Sequence, residues 1–309
     1  MTNQNPYNCT LFNCKSLNKL SKLLCIDTMD EFNSLANKLD TNPMQFYSSF
    51  YNKNKRLVFS IKDRQINNLH KRLIKLFNVN IPTYLKGGIK KQSNITNAKF
   101  HQNNKHFLLL DIKGFYPSVT KSKIETQLMR TYQMSKDVAR FISLLITIPQ
   151  VNKKGQTVRA LVTGSPLSTF FAFAINKKMF DELDKLSKTY AITYTVFVDD
   201  ISFSSKATIP YKFNKIVNRI ITKFNYQIHQ GKLYRGKISD KTIITGVRKS
   251  KYGLRLKVEH KEKITNLLKK DSITTKEKDT LIGLIGYAQQ INPKYSKLIH
   301  LIKESKEVD

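Results

Sequence analysis

The sequence has no tryptophan, only three cysteines and fewer than half as many acidic as basic residues. The cysteines are Cys9, Cys14 and Cys25, and an odd number without zinc-ligand spacing argues against both a disulfide framework and a zinc site. Reduced thiols are typical of a cytoplasmic protein, which is the expected location. Because no apolar run reaches the roughly 18 residues that span a bilayer and no secretory signal opens the chain, a membrane is not an expected partner.

The scarcity of acidic residues gives the chain a strongly positive charge. Its 54 Lys and Arg residues against 22 Asp and Glu residues leave a formal net charge of +32, spread along 309 residues. A field of this size attracts polyanions, so nucleic acid is favoured as a partner over an anionic membrane surface. A compositional bias of the source genome also produces an excess of Lys and Asn, and this alternative stays open. The length and the 40% apolar content indicate a folded protein of two or three lobes.

The segment around which the chain is organised is residues 191–204, AITYTVFVDDISFS. Its β-branched and aromatic residues predict two short strands that fold back on each other, with Asp199 and Asp200 at the turn. Adjacent acids are unfavourable in a hairpin turn, because their charges repel and neither relaxes the backbone as glycine does. Binding of a hard divalent cation such as Mg²⁺ would offset that cost, whereas a solvated acidic turn is the alternative.

A third carboxylate belongs to the same constellation. Residues 107–112, FLLLDI, predict a buried strand that delivers Asp111 to its end. Between it and the hairpin, residues 163–166, TGSP, predict a helix start with a flexible glycine, an N-cap hydroxyl and proline at the first helical position. Strands distant in sequence can lie side by side in a mixed α/β fold, so Asp111 and Asp199 can share two divalent ions. Two such ions activate an attacking hydroxyl and stabilise a departing pyrophosphate.

Apolar periodicity predicts the remaining elements. Helices are predicted within residues 11–40 and over 65–77, 123–129, 138–148, after 166, over 213–224 and after a capping box of Thr274 and Glu277. Strands are predicted within residues 47–59, in a hairpin over 151–162, and over 226–228 and 242–247. Residues 86–91, KGGIKK, form a loop for which phosphate binding and a flexible surface turn are the two alternatives.

Several of these segments, in this order, resemble the motifs of reverse transcriptases. Residues 110–118, LDIKGFYPS, are similar to the first palm motif, residues 163–168, TGSPLS, to the glycine motif, and residues 197–200, FVDD, to the Tyr-x-Asp-Asp motif. The sequence looks closest to bacterial retron reverse transcriptases, whose Asn-Ala stretch ending in His, Val-Thr-Gly element and thumb resemble residues 97–101, 244–246 and 283–293. The resemblance covers about residues 50 to 300.

The resemblance implies an α+β right-hand polymerase with an antiparallel palm sheet and a helical thumb. The expected domains are an N-terminal helical extension (1–45), fingers (46–105), a palm (106–250, with a fingers insertion at about 121–160) and a thumb (251–309). The short chain after the thumb leaves no expected ribonuclease H or endonuclease domain. The implied activity is RNA-directed DNA polymerisation, in which part of a bound structured non-coding RNA is copied from dNTPs into DNA, in bacterial antiviral defence as a retron.

The resemblance also implies roles for individual residues near the carboxylates. Asp111 and Asp199 would bind two Mg²⁺ ions, Asp200 would be a third carboxylate of the site, and the backbone carbonyl of Ile112 would help to hold the nucleotide-side ion. Lys232, in residues 228–232, IHQGK, matches the lysine that is proposed to protonate pyrophosphate in such polymerases.

Nucleotide and RNA contacts are implied elsewhere in the chain. Tyr116 would lie under the incoming sugar and exclude a 2′-hydroxyl by bulk, with a core aromatic as the alternative. Arg56 and Lys55 would bind the triphosphate, since a guanidinium matches phosphate oxygens, with a solvated surface charge as the alternative. The glycine motif adds Gly164 and Ser165 to the nucleotide-binding candidates. Basic and aromatic residues after the palm would follow an RNA backbone, or form a generic solvated face: Lys249, Lys251, Tyr252, Arg255 and Lys257.

The sequence departs from the family pattern at four positions, Thr163 for Gln, Phe197 for Tyr, His229 for Asn and Ile244 for Val. Phe197 keeps the ring and loses a hydroxyl, so catalysis is expected to survive. Two alternatives stay open. One is a non-retron defence-associated reverse transcriptase that makes repetitive or untemplated DNA, and the other is an RNA-binding scaffold with a vestigial polymerase site. A defence effector protein and a second copy of the chain are further candidate partners.

Overall fold

The computed structural model of the chain describes residues 9–52, 55, 57–151, 155–239, 242–270, 272–298 and 306–307. Helices alternate with short hairpins, and the strands pair antiparallel except for one two-residue parallel pair. This arrangement confirms the α+β class. The chain divides into two compact units. Unit 1 is Met1–Thr83, Ile112–Leu183 and Ile220–Gln227, and unit 2 is Tyr84–Asp111, Asp184–Arg219 and Ile228–Asp309.

The bounds of the elements, in chain order, are as follows. The helices are α1 (Leu17–Leu24), α2 (Met29–Thr41), α3 (Arg64–Leu76), α4 (Asn94–Phe100), α5 (Lys121–Arg130), α6 (Lys136–Ile146), α7 (Pro166–Thr189), α8 (Tyr211–Lys223), α9 (Val258–Leu268) and α10 (Thr275–Ile291). The strands are β1 (Tyr47–Tyr51), β2 (Leu57–Ile61), β3 (His106–Asp111), β4 (Thr147–Val151), β5 (Thr157–Leu161), β6 (Thr193–Phe197), β7 (Asp200–Ser205), β8 (Tyr234–Lys237), β9 (Ile243–Ile244), β10 (Val247–Ser250), β11 (Gly253–Arg255), β12 (Ser272–Ile273) and β13 (Lys306–Glu307).

Unit 1 is a helical body with two hairpins, β1–β2 and β4–β5. Its core is aromatic. Phe32 of α2 stacks on Phe141 of α6 with ring centroids 4.0 Å apart, and Phe77 packs at 4.6 Å against Phe171 of α7. Side-chain caps start the helices in this unit, as where the Thr28 hydroxyl accepts a hydrogen bond from the backbone N–H of Glu31. The amphipathic helices therefore form where apolar periodicity and a capping residue coincide.

Unit 2 is built on a four-stranded antiparallel sheet in the order β6-β7-β3-β8. α4 packs against one face of it, where Ile95 and Ala98 form a buried cluster with Phe107 and Leu109 of β3. A second core joins α9 and α10 and contains Leu256, Ile264, Leu267, Ile273, Leu281, Ile285 and Ala288. The capping box of Thr274 and Glu277 starts α10, which confirms that prediction.

Most predicted elements are present, and three differ. The single strand predicted over residues 242–247 is instead the antiparallel pair β9 and β10, joined by a turn at Thr245 and Gly246 whose φ angles are +45° and +88°. The predicted hairpin over residues 151–162 begins earlier, because β4 starts at Thr147 directly after α6. The strand predicted over residues 226–228 is wrong, because these described residues form no strand and only Ile228 takes part in a β-bridge. Tyr226 is instead buried, and its hydroxyl donates to the Asn176 side chain at 2.8 Å. None of the helices in the described part of the chain has the length and apolar character needed to cross a bilayer.

Candidate active site

The hairpin β6–β7 presents the adjacent carboxylates. Its register pairs Phe197 with Asp200, so the two turn residues are Val198 and Asp199, and Asp200 is the first residue of β7. The turn predicted at Asp199 and Asp200 therefore lies one residue earlier. The shift has a consequence for Asp200, because a strand residue has a side-chain direction that the sheet fixes, whereas a turn residue does not.

Val198 is strained, and a glycine packs against it. Its φ of +63° is unfavourable for a β-branched residue and costs about 1–3 kcal/mol. The backbone N–H groups of Lys86 and Gly87 donate to the Val196 carbonyl at 2.8 and 3.3 Å. A Cβ on Gly87 would lie 2.5 Å from the Val198 nitrogen, so only glycine allows this approach. Residues 86–87 thus brace the turn, a role outside the two alternatives considered for this loop.

Asp111 lies directly opposite Asp200. Strand β3 pairs antiparallel with β7 in the register Asp111↔Asp200, and Asp111 is only 7% exposed. Directly opposed residues on neighbouring antiparallel strands project from the same face of the sheet. The two carboxylates are therefore on one face, and Asp199 is next to them in the turn. Like charges opposed in this way destabilise a sheet unless a cation lies between them.

The electrostatics of the site favour a cation. Burial, followed by the charges of Asp199 and Asp111, raises the pKa of Asp200 to about 7, although Lys232 and Lys257 act in the opposite direction. In the described part of the chain, no three His, Cys, Asp or Glu side chains are grouped closely enough to form a complete metal site. Three mutually repelling carboxylates nevertheless supply the oxygen donors that a hard divalent ion requires, so the residues fit such an ion.

Lys232 contacts the site directly. Its ammonium donates to Asp111 Oδ2 at 2.7 Å, and its side chain is 47% exposed. A short 3₁₀ turn (Gln230–Lys232) carries it, and the backbone N–H of the preceding His229 donates to the Asp111 carbonyl at 2.8 Å. Unit 2 therefore contains all four predicted catalytic residues, Asp111, Asp199, Asp200 and Lys232.

Three of the nucleotide-binding candidates lie in unit 1, near the start of α7, and these are Tyr116, Gly164 and Ser165. The Tyr116 hydroxyl is 2.8 Å from Thr169 Oγ1. Gly164 has a φ of +99°, and a Cβ there would lie 2.4 Å from the Phe59 carbonyl oxygen, so the backbone requires glycine. Ile112, the predicted carbonyl ligand, also falls in unit 1 and is fully buried.

Ser165 is buried and contacts a histidine that sequence reasoning did not select. Burial lowers the pKa of His70 to about 4, so its ring is neutral. His70 Nε2 lies 2.8 Å from the Leu145 carbonyl and must donate to it, which leaves Nδ1 to accept from the Ser165 hydroxyl at 3.4 Å. Of the predicted triphosphate pair, Lys55 is exposed with a φ of +54°, and Arg56 lies outside the described residues.

The predicted RNA-binding residues divide into three groups. Tyr252 is 75% exposed, with the Lys251 ammonium 4.9 Å and the Arg255 guanidinium 5.7 Å from its ring centroid. Lys257 lies near enough to Asp200 for its positive charge to oppose the rise in the pKa of that carboxyl. Lys249 is only 5% exposed, and its ammonium donates to the Ser250 carbonyl at 3.0 Å. Lys249 is therefore not part of the exposed basic surface.

Sequence reasoning did not predict the contact of Gly87 with the turn, and it included His101 in a family motif without assigning it a role. His101 is fully buried, with Nδ1 2.6 Å from Ser204 Oγ and Nε2 2.7 Å from Thr195 Oγ1. The glycine pair was a local signal for Gly87, but its partner lies more than a hundred residues later in the chain. No local pattern identifies such a contact.

Comparison with known proteins identifies the family. The chain belongs to the reverse transcriptase (RNA-dependent DNA polymerase) family, whose pattern it matches over residues 36–239. This match confirms the predicted enzyme class, RNA-directed DNA polymerase, and the right-hand polymerase fold. Membership also implies dependence on a divalent metal ion.

The similar curated proteins are retron reverse transcriptases, which confirms the resemblance to that type. The chain is 24% identical over 209 residues to the retron Ec83 reverse transcriptase of Escherichia coli, covering 65% of this chain and 67% of that protein. It is 24% identical over 205 residues to the retron Se72 reverse transcriptase of Salmonella heidelberg, covering 63% and 52%. The retron Mx162 reverse transcriptase of Myxococcus xanthus is 33% identical over 134 residues, covering 40% and 27%. The matches thus span between about a quarter and two thirds of these relatives.

Proposed function

We propose that this protein copies part of a bound, structured non-coding RNA into DNA and acts as the reverse transcriptase of a retron in antiviral defence. The observation that carries the proposal is the register Asp111↔Asp200 at the end of the sheet, with Asp199 in the adjoining turn. We place the reaction in the cytoplasm, where thiols such as those of the three cysteines stay reduced.

Asp111, Asp199 and Asp200, with the backbone carbonyl of Ile112, are the proposed ligands of two Mg²⁺ ions. When bound, the ions activate the primer hydroxyl and stabilise the charge on the departing pyrophosphate. The chain's own contribution is to hold the carboxylates in place before the ions arrive. Register pairing fixes Asp111 and Asp200, and the brace at Gly87 holds the turn that carries Asp199.

Lys232 is the proposed proton donor to the leaving pyrophosphate. Its support is the contact with Asp111 Oδ2 at 2.7 Å, which places an ammonium beside the proposed metal ligands. Because Lys232 is half exposed and its side chain is flexible, its ammonium would be free to leave Asp111 if that carboxylate held a metal ion. The same ammonium is then available to an anionic leaving group.

Tyr116, Gly164, Ser165, Lys55 and Arg56 are the proposed nucleotide-binding residues. The hydrogen bond between the Tyr116 and Thr169 hydroxyls supports a fixed ring that can exclude a 2′-hydroxyl. Gly164 allows the close approach to the Phe59 backbone that fixes the segment before α7, next to the Tyr116 and Ser165 candidates. The proposed domains are the fingers (46–105), the palm (106–250) and the thumb (251–309), after an N-terminal extension (1–45).

The proposed RNA-binding surface consists of Lys251, Tyr252, Arg255 and Lys257. A cavity of about 500 Å³ in unit 2 adjoins it, lined by Arg248, Tyr252, Arg255, Lys261, Asn266 and Tyr295 among others. Guanidinium and ammonium groups next to exposed aromatic rings suit a phosphate backbone with stacked bases. Charge reversal at Arg255 is expected to weaken RNA binding about tenfold and to reduce its salt dependence, whereas Lys185→Glu on the exposed face of α7 should change neither strongly.

The direct test is templated DNA synthesis by the protein with its co-purified RNA. We expect labelled dNTPs to be incorporated in the presence of Mg²⁺, and ribonuclease treatment beforehand to abolish incorporation. Asp199→Asn should abolish synthesis while retaining the RNA. Asp184→Asn, which removes a carboxylate paired with Lys188 on α7, is the matched control and should keep full activity. RNA binding without incorporation by the unmodified protein would favour the scaffold alternative.

A further inference from the structure

His101 connects α4 to both strands of the hairpin that carries Asp199 and Asp200. It is the C-cap residue of α4, and its two ring nitrogens lie 2.6 Å from Ser204 Oγ on β7 and 2.7 Å from Thr195 Oγ1 on β6. All three side chains are fully buried. A neutral imidazole has an N–H on one ring nitrogen and a lone pair on the other. A hydroxyl can accept a hydrogen bond from the first or donate one to the second. One ring thus joins two strands.

The face of the sheet that His101 contacts is the face of the carboxylates. Side chains alternate along a strand, so Asp200, Ser202 and Ser204 of β7 share one face. The register Asp111↔Asp200 places Asp111 on the same face, and Thr195, paired with Ser202, belongs to it as well. Ser204 is four strand residues from Asp200, which is about 14 Å at 3.4 Å per residue. His101 therefore acts on the carboxylates through the strands and not by contact.

The helix that carries His101 is itself anchored. The Asn94 side chain donates to the Thr245 carbonyl at 3.1 Å and to the Tyr287 hydroxyl at 2.8 Å. The Asn97 amide donates to Thr245 Oγ1 at 3.2 Å. Asn104, just beyond α4, donates to Thr193 Oγ1 and Ser204 Oγ at 3.0 and 2.7 Å. The contacts of Asn94 and Asn97 thus fix the helix independently of the hairpin, and Asn104 adds a second link to both hairpin strands, so the helix can serve as a reference for the hairpin's position.

We propose that His101 is a positioning residue for nucleotidyl transfer, which ties both strands of the catalytic hairpin to α4 and so fixes where Asp199 and Asp200 are presented. The inference rests on the proposed catalytic role of these carboxylates. Burial, and to a lesser extent the charge of Lys86, lowers the pKa of His101 to about 3, which keeps the ring neutral. Either tautomer of the neutral ring can make both contacts, because each hydroxyl can donate to a ring nitrogen or accept from one.

The test compares His101→Ala with a variant that loses stability at a distance from the hairpin. Phe32→Ala in α2 removes a buried, stacked ring from unit 1 and is the matched control. We expect His101→Ala to lower kcat about 10- to 100-fold per folded molecule, with little change in the KM for dNTP or in RNA affinity, because small misplacements of catalytic groups have effects of this size. Phe32→Ala should lower Tm comparably and leave kcat per folded molecule within about twofold.

Two further measurements keep the inference testable whatever the stability of His101→Ala. Thr195→Val and Ser204→Ala each remove one hydroxyl partner of the ring, and each should lower kcat by a smaller factor. Mn²⁺ affinity, measured by electron paramagnetic resonance, reports the carboxylates without catalysis and should weaken in His101→Ala but not in Phe32→Ala. Unchanged Mn²⁺ affinity and a kcat loss that merely follows Tm would overturn the positioning role. Absence of DNA synthesis by the unmodified protein would count against the proposed function alone, since Mn²⁺ binding tests His101 separately.

Discussion

Asp111 and Asp200 face each other across β3 and β7 as directly opposed partners of an antiparallel pair. Two carboxylates in that relationship repel, and burial adds to the cost. The arrangement is unfavourable for the free protein and favourable for one that binds cations. Function and stability are therefore expected to respond in opposite directions when a carboxylate is removed.

The first prediction concerns the carboxylates. Asp111→Asn, Asp199→Asn and Asp200→Asn should each reduce DNA synthesis by about a thousandfold or more, because each removes a proposed metal ligand worth several kcal/mol in the transition state. In metal-free buffer, Asp200→Asn should raise the free energy of unfolding by up to about 1 kcal/mol, since it removes an opposed like charge. Thermal unfolding with EDTA and with Mg²⁺ measures this. A fall in stability without metal, or a Mg²⁺-induced rise in Tm equal to that of the unmodified protein, would contradict the account.

The second prediction concerns Gly87. In Gly87→Ala the new methyl carbon would meet the Val198 nitrogen at 2.5 Å, so the turn that carries Asp199 must move. We expect kcat to fall more than about tenfold, as for other small displacements of catalytic groups. Gly283→Ala is the control, because its Cβ meets nothing within 4 Å, and alanine in the interior of α10 should stabilise the helix by up to about 1 kcal/mol. Steady-state kinetics on both variants decides the matter, and equal activity would remove the brace from the account.

The third prediction concerns sugar selection by Tyr116. Replacing the ring in Tyr116→Ala should permit incorporation of ribonucleotides, whereas Tyr116→Phe keeps the ring and loses only the hydroxyl that contacts Thr169. The ratio of kcat/KM for dNTP to that for NTP should therefore collapse in the first variant and fall little in the second. A ratio that stays high in Tyr116→Ala would assign the ring to the core and not to the nucleotide.

The fourth prediction concerns acid stability. Burial lowers the pKa of His70 to about 4, whereas an exposed histidine in the unfolded chain titrates near about 6.5. The folded state therefore binds fewer protons than the unfolded state between these values, so the free energy of unfolding falls as pH falls through this window. The contribution is about 1.4 kcal/mol per pH unit. His70→Leu should show a shallower slope than the unmodified protein in urea unfolding from pH 7 to 4. Parallel slopes would mean that His70 is not buried as a neutral ring.

The sequence predicts the local parts of this protein well and the long-range parts poorly. The strand ending in Asp111, the hairpin with its carboxylates and the capped helix at Thr274 follow from period and composition, because those signals are local. The turn was expected one residue later, since a β-branched residue such as Val198 opposes a positive φ. Tertiary packing overrides that preference, and the evidence for it lies at Gly87, far away in the chain.

The same limit applies to His101. Periodicity predicts no helix over residues 94–100, and the partners of His101, Thr195 and Ser204, lie about ninety to a hundred residues later. The resemblance to reverse transcriptases includes residues 97–101 but assigns no function to His101. Assigning one required the register of β3, β6 and β7, which places the histidine on the face of the carboxylates.

The central claim is that Asp199 and its neighbouring carboxylates catalyse copying of a bound RNA into DNA. The most direct measurement is to purify the protein from its host and sequence the attached nucleic acid, with Asp199→Asn and Asp184→Asn purified in parallel. We expect RNA joined to DNA of one defined sequence, complementary to part of that RNA, in the unmodified protein and in Asp184→Asn, and RNA alone in Asp199→Asn. Simple repeats would support the non-retron alternative, and RNA alone in all three preparations would contradict the claim.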